Sequence, residues 1–358
     1  MMLTPRHEEV LSGNVLAISR HTYLPGETCM KPRAEATVLV TPRSFGVDDP
    51  EIRRELEAAV GEVRYSRYGR PLRAEELSGE VGDIDGLIAG LDEIDETVFA
   101  AAPSLRVIAR YGVGTSNIDL HAAAEHGVVV TNTPGANAEA VAELTIGLML
   151  ALARSIVQAA RATRAGDWPS MRGVELHGRT VGILGLGKIG CAVAQRAAAL
   201  GCDVMAHDPY VDVSAAAPLN VRLTSKEEVV ASADFLTLHL TATPESFGIV
   251  NRELLKRMRR GAYLVNTARG ELIVEEDLLW ALESGQLRGA ALDTLQNEPP
   301  ARDSSLLERD DVIVTPHLGA HTTEAAAVMG RTAVSELLAV LSDRPARFAV
   351  PVPQVGRP

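Results

Sequence analysis

Three polar residues of this 358-residue chain have side chains that can act together on a carbonyl: Arg269 in NTARGEL, Glu298 in LDTLQNEPP and His317 in TPHLGA. A guanidinium offers a fixed fork of donors to a carboxylate and to a polarised carbonyl. An imidazole can hand a proton to that carbonyl oxygen as hydride reaches its carbon. A carboxylate bonded to the far ring nitrogen orients the ring and favours the imidazolium. Arg269 and Glu298 follow, and His317 ends, a short apolar run that reads as a strand: AYLVNT (262–267), GAALDT (289–294) and DVIVTPH (311–317). Asp293 lies within the second run. Singly, such residues are usually loop surface or structural. Their common place at strand carboxyl ends, where doubly wound sheets bind ligands, gives them a joint reading.

A nucleotide motif supports that reading. GLGKIG places Gly185, Gly187 and Gly190 in GxGxxG spacing, after the strand-like TVGIL and at the start of the helical KIGCAVAQRAAAL. Asp208 stands 18 residues past Gly190, at the end of the next strand, which completes the dinucleotide fingerprint. Lys188 and Ile189 open the helix, whose unpaired N–H groups and dipole favour a pyrophosphate. Asp208 can accept from a ribose diol and would repel a 2′-phosphate. No Arg follows it in DPYVDV, so the expected cofactor is NAD rather than NADP.

The elements that must position these groups alternate along the chain. Strands are predicted at 37–41, 86–90, 105–112 and 128–135, with helices at 51–60, 95–102 and 119–126. A second series has strands at 180–185, 202–207, 235–240, 262–267, 289–294 and 311–317. Its helices are predicted at 188–200, 225–230, 251–258, 275–284 and 303–308, followed by a last helix at 324–341. Alternation of this kind implies parallel sheets with helical crossovers, hence two α/β domains. The segment 136–160 reads as one helix, too apolar for a plain surface helix; it is either a core helix or a subunit interface. Residues 1–36 show no sustained period and read as an extension, or as a strap on a partner subunit.

Composition excludes several functions. Lys+Arg is 35 against 47 Asp+Glu, a net charge of −12 with no basic cluster, so neither nucleic acid nor an anionic membrane is an expected partner. The most continuous apolar run, 141–153, is shorter than the roughly 20 residues of a membrane span and contains Glu143. MMLTPRHEEV lacks the pattern of a signal peptide. Three cysteines supply neither a disulfide framework nor a four-thiolate zinc site, and the expected location is the cytoplasm. His317 and His321 could mimic a metal pair, but no third ligand is evident and no metal is expected.

Six ordered segments carry a family resemblance: ARYGVGTSNIDL (109–120), NTPGANAEAVAELTIGLMLALAR (132–154), HGRTVGILGLGKIG (177–190), LVNTARGELI (264–273), AALDTLQNEP (290–299) and VTPHLGAHTTEA (314–325). Together they make the chain similar to the D-isomer-specific 2-hydroxyacid dehydrogenases, the family of D-3-phosphoglycerate dehydrogenase. The resemblance implies two doubly wound parallel-sheet domains. One is a discontinuous, flavodoxin-like substrate domain (37–133 and 318–344); the other is a Rossmann NAD-binding domain (134–317). An extension (1–36) and a tail (345–358) flank them.

The resemblance also implies an NAD-dependent oxidoreductase that interconverts a 2-keto acid and a D-2-hydroxy acid. His317, paired to Glu298, would be its acid/base, and Arg269 would hold the carboxylate and carbonyl. It assigns the backbone amides of Val113 and Gly114 to the substrate carboxylate and Asp293 to the nicotinamide carboxamide. Thr241, Ser246, Thr267, Ala268 and Gly319 would complete the cofactor contacts. A homodimer or homotetramer formed through the cofactor domains would be expected. There are departures. Thr241 stands where the family usually has Pro, Ser246 where it often has Thr, and His321 where a smaller residue is usual. The loop AGLDEID (89–95) lacks the basic residues that phosphoglycerate enzymes carry there; Arg43 and Ser44 in TPRSFG are candidates for a distal anion, as is Arg110. A D-3-phosphoglycerate dehydrogenase-like activity leads. Glyoxylate or hydroxypyruvate reduction, a phosphonopyruvate-type reductase, phosphite oxidation and an NAD(H)-sensing corepressor remain as alternatives. Formate dehydrogenase chemistry is disfavoured, because that enzyme pairs its His with Gln.

Overall fold

The computed structural model describes residues 31–211, 216 and 219–352. The extension expected at 1–36 therefore lies outside the described residues as far as residue 30. Two parallel sheets form the framework. The first contains β1 (Thr37–Val40), β2 (Glu62–Tyr65), β3 (Gly86–Ala89), β4 (Val107–Arg110) and β5 (Val129–Thr131), in the order β2-β1-β3-β4-β5. The second contains β6 (Thr180–Leu184), β7 (Asp203–His207), β8 (Arg222–Leu223), β9 (Phe235–Leu238), β10 (Ala262–Asn266), β11 (Leu287–Leu292) and β12 (Val312–Val314), in the order β12-β11-β10-β9-β6-β7-β8. The first order is that of flavodoxin-like sheets and the second is that of Rossmann sheets, as expected.

Central strands are buried on both faces, so they read as unbroken apolar runs: TVLV, GLIA and VIAR in the first sheet, FLTL and AYLVN in the second. Edge strands escaped that criterion. β2 (EVRY) and β8 (RL) are largely exposed and polar, and neither was predicted. Helix starts are marked by side-chain caps. Asp95 accepts from Thr97 N, Asp119 from His121 N and Ala122 N, and Thr322 from Ala325 N.

Three expectations need correction. The predicted helix 136–160 is two helices, Ala138–Arg154 and Ile156–Arg164, bent by 64° at Ser155, whose φ is +50°. The apolar residues of the first are buried within this chain, against the helix Lys188–Ala199 and against β10 and β11, so it is a core helix. The helix predicted at 303–308 is a series of turns, anchored by Leu306 alone. Its Asp-Ser-Ser start competes for backbone bonds in non-helical conformations. The short helix Ala74–Ser78 was not predicted.

The last helix, Thr323–Leu341, packs back on the first sheet: Leu337 sits against Gly86 of β3, and Met329, Ala333 and Val334 join Val38 and Val107 in one core. The described part of the tail is tied to the open edge of β5. Phe348 O accepts from Asn132 N and Val130 O accepts from Val350 N, while the buried Glu336 carboxylate accepts from Arg347 N and Phe348 N. Among the described residues no single helix is long and apolar enough to cross a membrane.

Candidate active site

Strand order reverses between β1 and β3 in the first sheet and between β6 and β9 in the second, and crevices open outside such points. A single cleft of about 2220 Å³ runs along them. Thr41, Gly90 and Arg110 reach it from the ends of β1, β3 and β4; His239, Arg269 and His317 reach it from the second sheet.

Asp293, at the end of β11, builds the loop that carries His317. Its buried carboxylate accepts from Thr315 Oγ1 (2.5 Å), Leu318 N (2.8 Å) and Gly319 N (2.8 Å), and its carbonyl accepts from His317 N (3.0 Å). These bonds hold His317 at φ +53°, a conformation a β-substituted residue keeps only under constraint. His317 Nδ1 lies 2.7 Å from Glu298 Oε2, and Glu298 Oε1 accepts from Leu295 N at 3.0 Å. Burial pushes the Glu298 carboxyl upward. The hydrogen bond to His317, the imidazole's charge, the Leu295 amide and Arg269 outweigh burial and hold it below its ordinary value. An ionised Glu298 can only accept, so Nδ1 carries the proton toward it, and Nε2 remains for exchange with a ligand.

Arg269 comes from the turn after β10. Asn266 shapes this turn: its Nδ2 donates to Arg269 O (2.8 Å) and its Oδ1 accepts from Ala268 N (3.0 Å). The guanidinium lies on the bare backbone of Gly114, where a Cβ would stand 1.5 Å from Nη2. Any side chain at 114 would displace the arginine, so the second sheet's cation and the first sheet's glycine loop fit only together. Burial lowers the Arg269 pKa, opposed by Glu271 and Glu298. Val113 and Gly114 keep amides that donate to no acceptor among the described residues. An arginine and two free amides converge there as an anion receptor.

The glycine loop fits a dinucleotide. A Cβ at Gly187 would meet nothing, whereas one at Gly190 would stand 2.2 Å from Gly185 O, so that contact closes helix onto strand. The helix Lys188–Ala199 begins with no side-chain cap, leaving its first N–H groups for a phosphate. Asp208 already braces the loop, accepting from Leu186 N and Tyr210 N at 2.8 Å each.

The other expected residues divide. Ile189, Thr241, Ala268 and Gly319 line the cleft. Thr267 also lines it, but its hydroxyl bonds Thr145 Oγ1 at 2.8 Å and ties β10 to the core helix. Lys188 turns its ammonium to Pro134 O (3.0 Å). Ser246 Oγ donates to Thr241 O (2.8 Å) and locks its own loop rather than facing the cleft. Arg43 and Ser44 line the mouth, Arg43 exposed. Arg110 is buried, bonded to the Gly114 carbonyl, and lines the cleft from the end of β4. His239 was not foreseen. It lines the cleft with a buried Nδ1 that has no partner among the described residues, and burial lowers its pKa to about 3. Its signal was the polar residue closing an apolar strand, FLTLH. Among the described residues no three His, Cys, Asp or Glu gather as a metal site.

Residues 146–319 match the D-isomer specific 2-hydroxyacid dehydrogenase, NAD binding domain. A D-3-phosphoglycerate dehydrogenase of Methanocaldococcus jannaschii is 42% identical over 300 residues, 83% of this chain and 56% of that protein. The chain belongs to the D-isomer-specific 2-hydroxyacid dehydrogenase family. It spans about half the length of the curated relatives it matches. Among solved structures, the TT0316 protein of Thermus thermophilus is 39% identical with a TM-score of 0.78, covering 88% of this chain and 99% of that one. An NAD+-bound 3-phosphoglycerate dehydrogenase of Entamoeba histolytica is 29% identical with a TM-score of 0.75, covering 89% and 99%. The matched region contains the glycine loop, Asp208, Arg269, Asp293, Glu298 and His317, and the second sheet of this family member is its NAD-binding domain.

Proposed function

We propose that the protein is an NAD-dependent oxidoreductase that interconverts a 2-keto acid and a D-2-hydroxy acid. The observation that carries this is the 2.7 Å His317–Glu298 pair, set in one cleft with Arg269 and the free amides of Val113 and Gly114. NAD, when bound, supplies or takes the hydride. Arg269 and the two amides hold the substrate carboxylate, and Arg269 also polarises the carbonyl. His317 Nε2 gives a proton to the carbonyl oxygen in reduction and removes it from the hydroxyl in oxidation, while Glu298 fixes the ring. In this reading residues 37–133 and 318–344 form the substrate domain and 134–317 the cofactor domain.

The substrate we place first is D-3-phosphoglycerate or its keto acid, by likeness to the relatives. A second reading, a short unphosphorylated keto acid such as glyoxylate or hydroxypyruvate, is favoured by the loop after β3. It presents Gly90 and Leu91 to the cleft, and its buried Asp92 puts a negative charge where a phosphate would need a cation. An NADH-oxidation screen over hydroxypyruvate, phosphohydroxypyruvate, phosphonopyruvate, glyoxylate and pyruvate decides between them. No turnover with any of these would sink the oxidoreductase reading.

We further propose a cytoplasmic homodimer. Its support is the exposed apolar group Ile156, Val157, Trp168 and Met171 beside the bent helix pair. Sedimentation showing a monomer at micromolar concentration would refute the dimer.

A further inference from the structure

Arg110 ends β4 with only 5% of its surface exposed, yet it forms no ion pair among the described residues. Burial pulls its pKa down to about 10; the neighbouring Arg269 cation acts in the same direction and Asp92 opposes it. It is thus still a cation at neutral pH, enclosed beside a second cation. Such a group persists only where its donors are taken up.

Two of its donors are taken up by one short segment. Nε donates to Gly114 O at 3.0 Å, and Nη1 donates to Tyr111 O. The two carbonyls between are tied from the other side: Gly112 O accepts from Thr133 N (2.9 Å) and Val113 O from Asn132 Nδ2 (2.7 Å). All four carbonyls of 111–114 are therefore engaged by the protein, and among the described residues the amides of Val113 and Gly114 are left without acceptors, beside Arg269. A peptide unit joins the C=O of one residue to the N–H of the next, pointing opposite ways, so Thr133 N and Asn132 Nδ2 aim the amides of Val113 and Gly114, and Arg110 clamps the two flanking units at Tyr111 and Gly114.

We infer that Arg110 is a positioning residue: its forked bonds to Tyr111 O and Gly114 O hold the 111–114 backbone in the conformation that receives the substrate carboxylate. This rests on the dehydrogenase reading. It assigns the fork, rather than the charge, as the property that matters. Lysine carries the charge on a single nitrogen and cannot reproduce the fork.

The test uses Arg110→Lys and Asn132→Ala in the full chain. The readouts are KM and kcat for the best keto acid, the Kd of NADH, and the Kd of oxamate on the NADH-loaded protein as a probe of the carboxylate receptor. Arg110→Lys is expected to raise KM and the oxamate Kd together by about tenfold or more, the scale of lost hydrogen bonds to a charged donor. NADH affinity should be unchanged, and kcat should fall far less than KM rises. Asn132→Ala removes one carbonyl tie at a less buried site and should give the same KM-only pattern, smaller, even if Arg110→Lys does not fold.

Wild-type KM in Arg110→Lys would show that charge suffices and overturn the inference. A parallel loss of NADH affinity would show a merely structural role and overturn it too, as would an unchanged KM in Asn132→Ala. If the wild type neither turns over a keto acid nor binds oxamate, the dehydrogenase reading itself fails. If it does both and the variants match it, only the role of Arg110 fails.

Discussion

The two sheet edges that face the cleft work in opposite ways. On the second sheet, Arg269 and His317 present their functional tips to the cleft, and neighbours such as Asn266, Asp293 and Glu298 aim them. On the first sheet, the charged side chains near the strand ends turn inward. Asp92 accepts from Leu72 N (2.9 Å), Gly90 N (2.8 Å) and the Thr41 hydroxyl, and Arg110 holds the carbonyls of Tyr111 and Gly114. Beside the strand ends, what this edge offers a ligand is backbone, with exposed charges such as Arg43, Arg70 and Arg73 also lining the cleft. The difference teaches where a sequence discloses function. Reactive tips are named by residue type, whereas backbone receptors are named only by the residues that shape them.

The largest effect should come from breaking the edge of tips. His317→Ala is expected to lower kcat by about 10²–10⁴-fold, the range of general acid–base catalysis, with NADH binding retained. Stopped-flow NADH binding and steady-state turnover measured on the same preparation check this. A kcat within a few-fold of wild type would place the proton transfer elsewhere.

The next variant tests the support behind that tip. Glu298→Gln keeps the shape but weakens a charge-assisted bond worth roughly 1.5–3 kcal/mol, so turnover should fall about 10- to 100-fold. The pH dependence has a definite sign. The Glu298 pKa is held below its ordinary value of 4.5 in the folded protein. The stability contributed by the ionised group is therefore fully present above that value and is lost as pH falls through the lower folded value. Denaturation curves of wild type and Glu298→Gln should keep a constant separation at neutral pH and converge in acid. A separation that vanishes toward alkaline pH would contradict the assignment.

How much was legible follows the same division. The placement of Arg269, Glu298 and His317 on one cleft was legible because residue type and strand-end position mark them, and the central strands because burial on both faces enforces apolar runs. The inward roles of Asp92 and Arg110 were not readable, since a charged residue after a strand looks the same whether it faces solvent or carbonyls. Ser246 and Thr267 looked like ligand contacts, but their hydroxyls are bound within the protein. The break at Ser155 was hidden because Ala-rich sequence on both sides suits helix; the left-handed residue is a consequence of packing.

The third variant attacks the edge made of backbone. Asp92→Ala leaves the Leu72 and Gly90 amides without their carboxylate, a loss of about 1–3 kcal/mol for buried unsatisfied groups. A Tm lowered by several degrees with kcat little changed is expected, the reverse of the His317 result. Equal losses in kcat and stability would mean that Asp92 touches the reaction.

The smallest effect is expected at Arg43, an exposed side chain on the first sheet's edge that makes no ion pair among the described residues. With Arg70 and Arg73 it is one of the exposed cations lining the cleft, and it can contribute only if a substrate reaches it with a distal anion. Exposed ion pairs are worth about 0.2–1 kcal/mol, so Arg43→Ala should raise KM for phosphohydroxypyruvate by no more than about fivefold and leave KM for glyoxylate unchanged. Added salt should shrink the difference, because screening acts on exposed pairs. Equal shifts for both substrates would remove Arg43 from the site. A distal anion would then have to be met by the other arginines lining the cleft, Arg73 or the Glu76-paired Arg70.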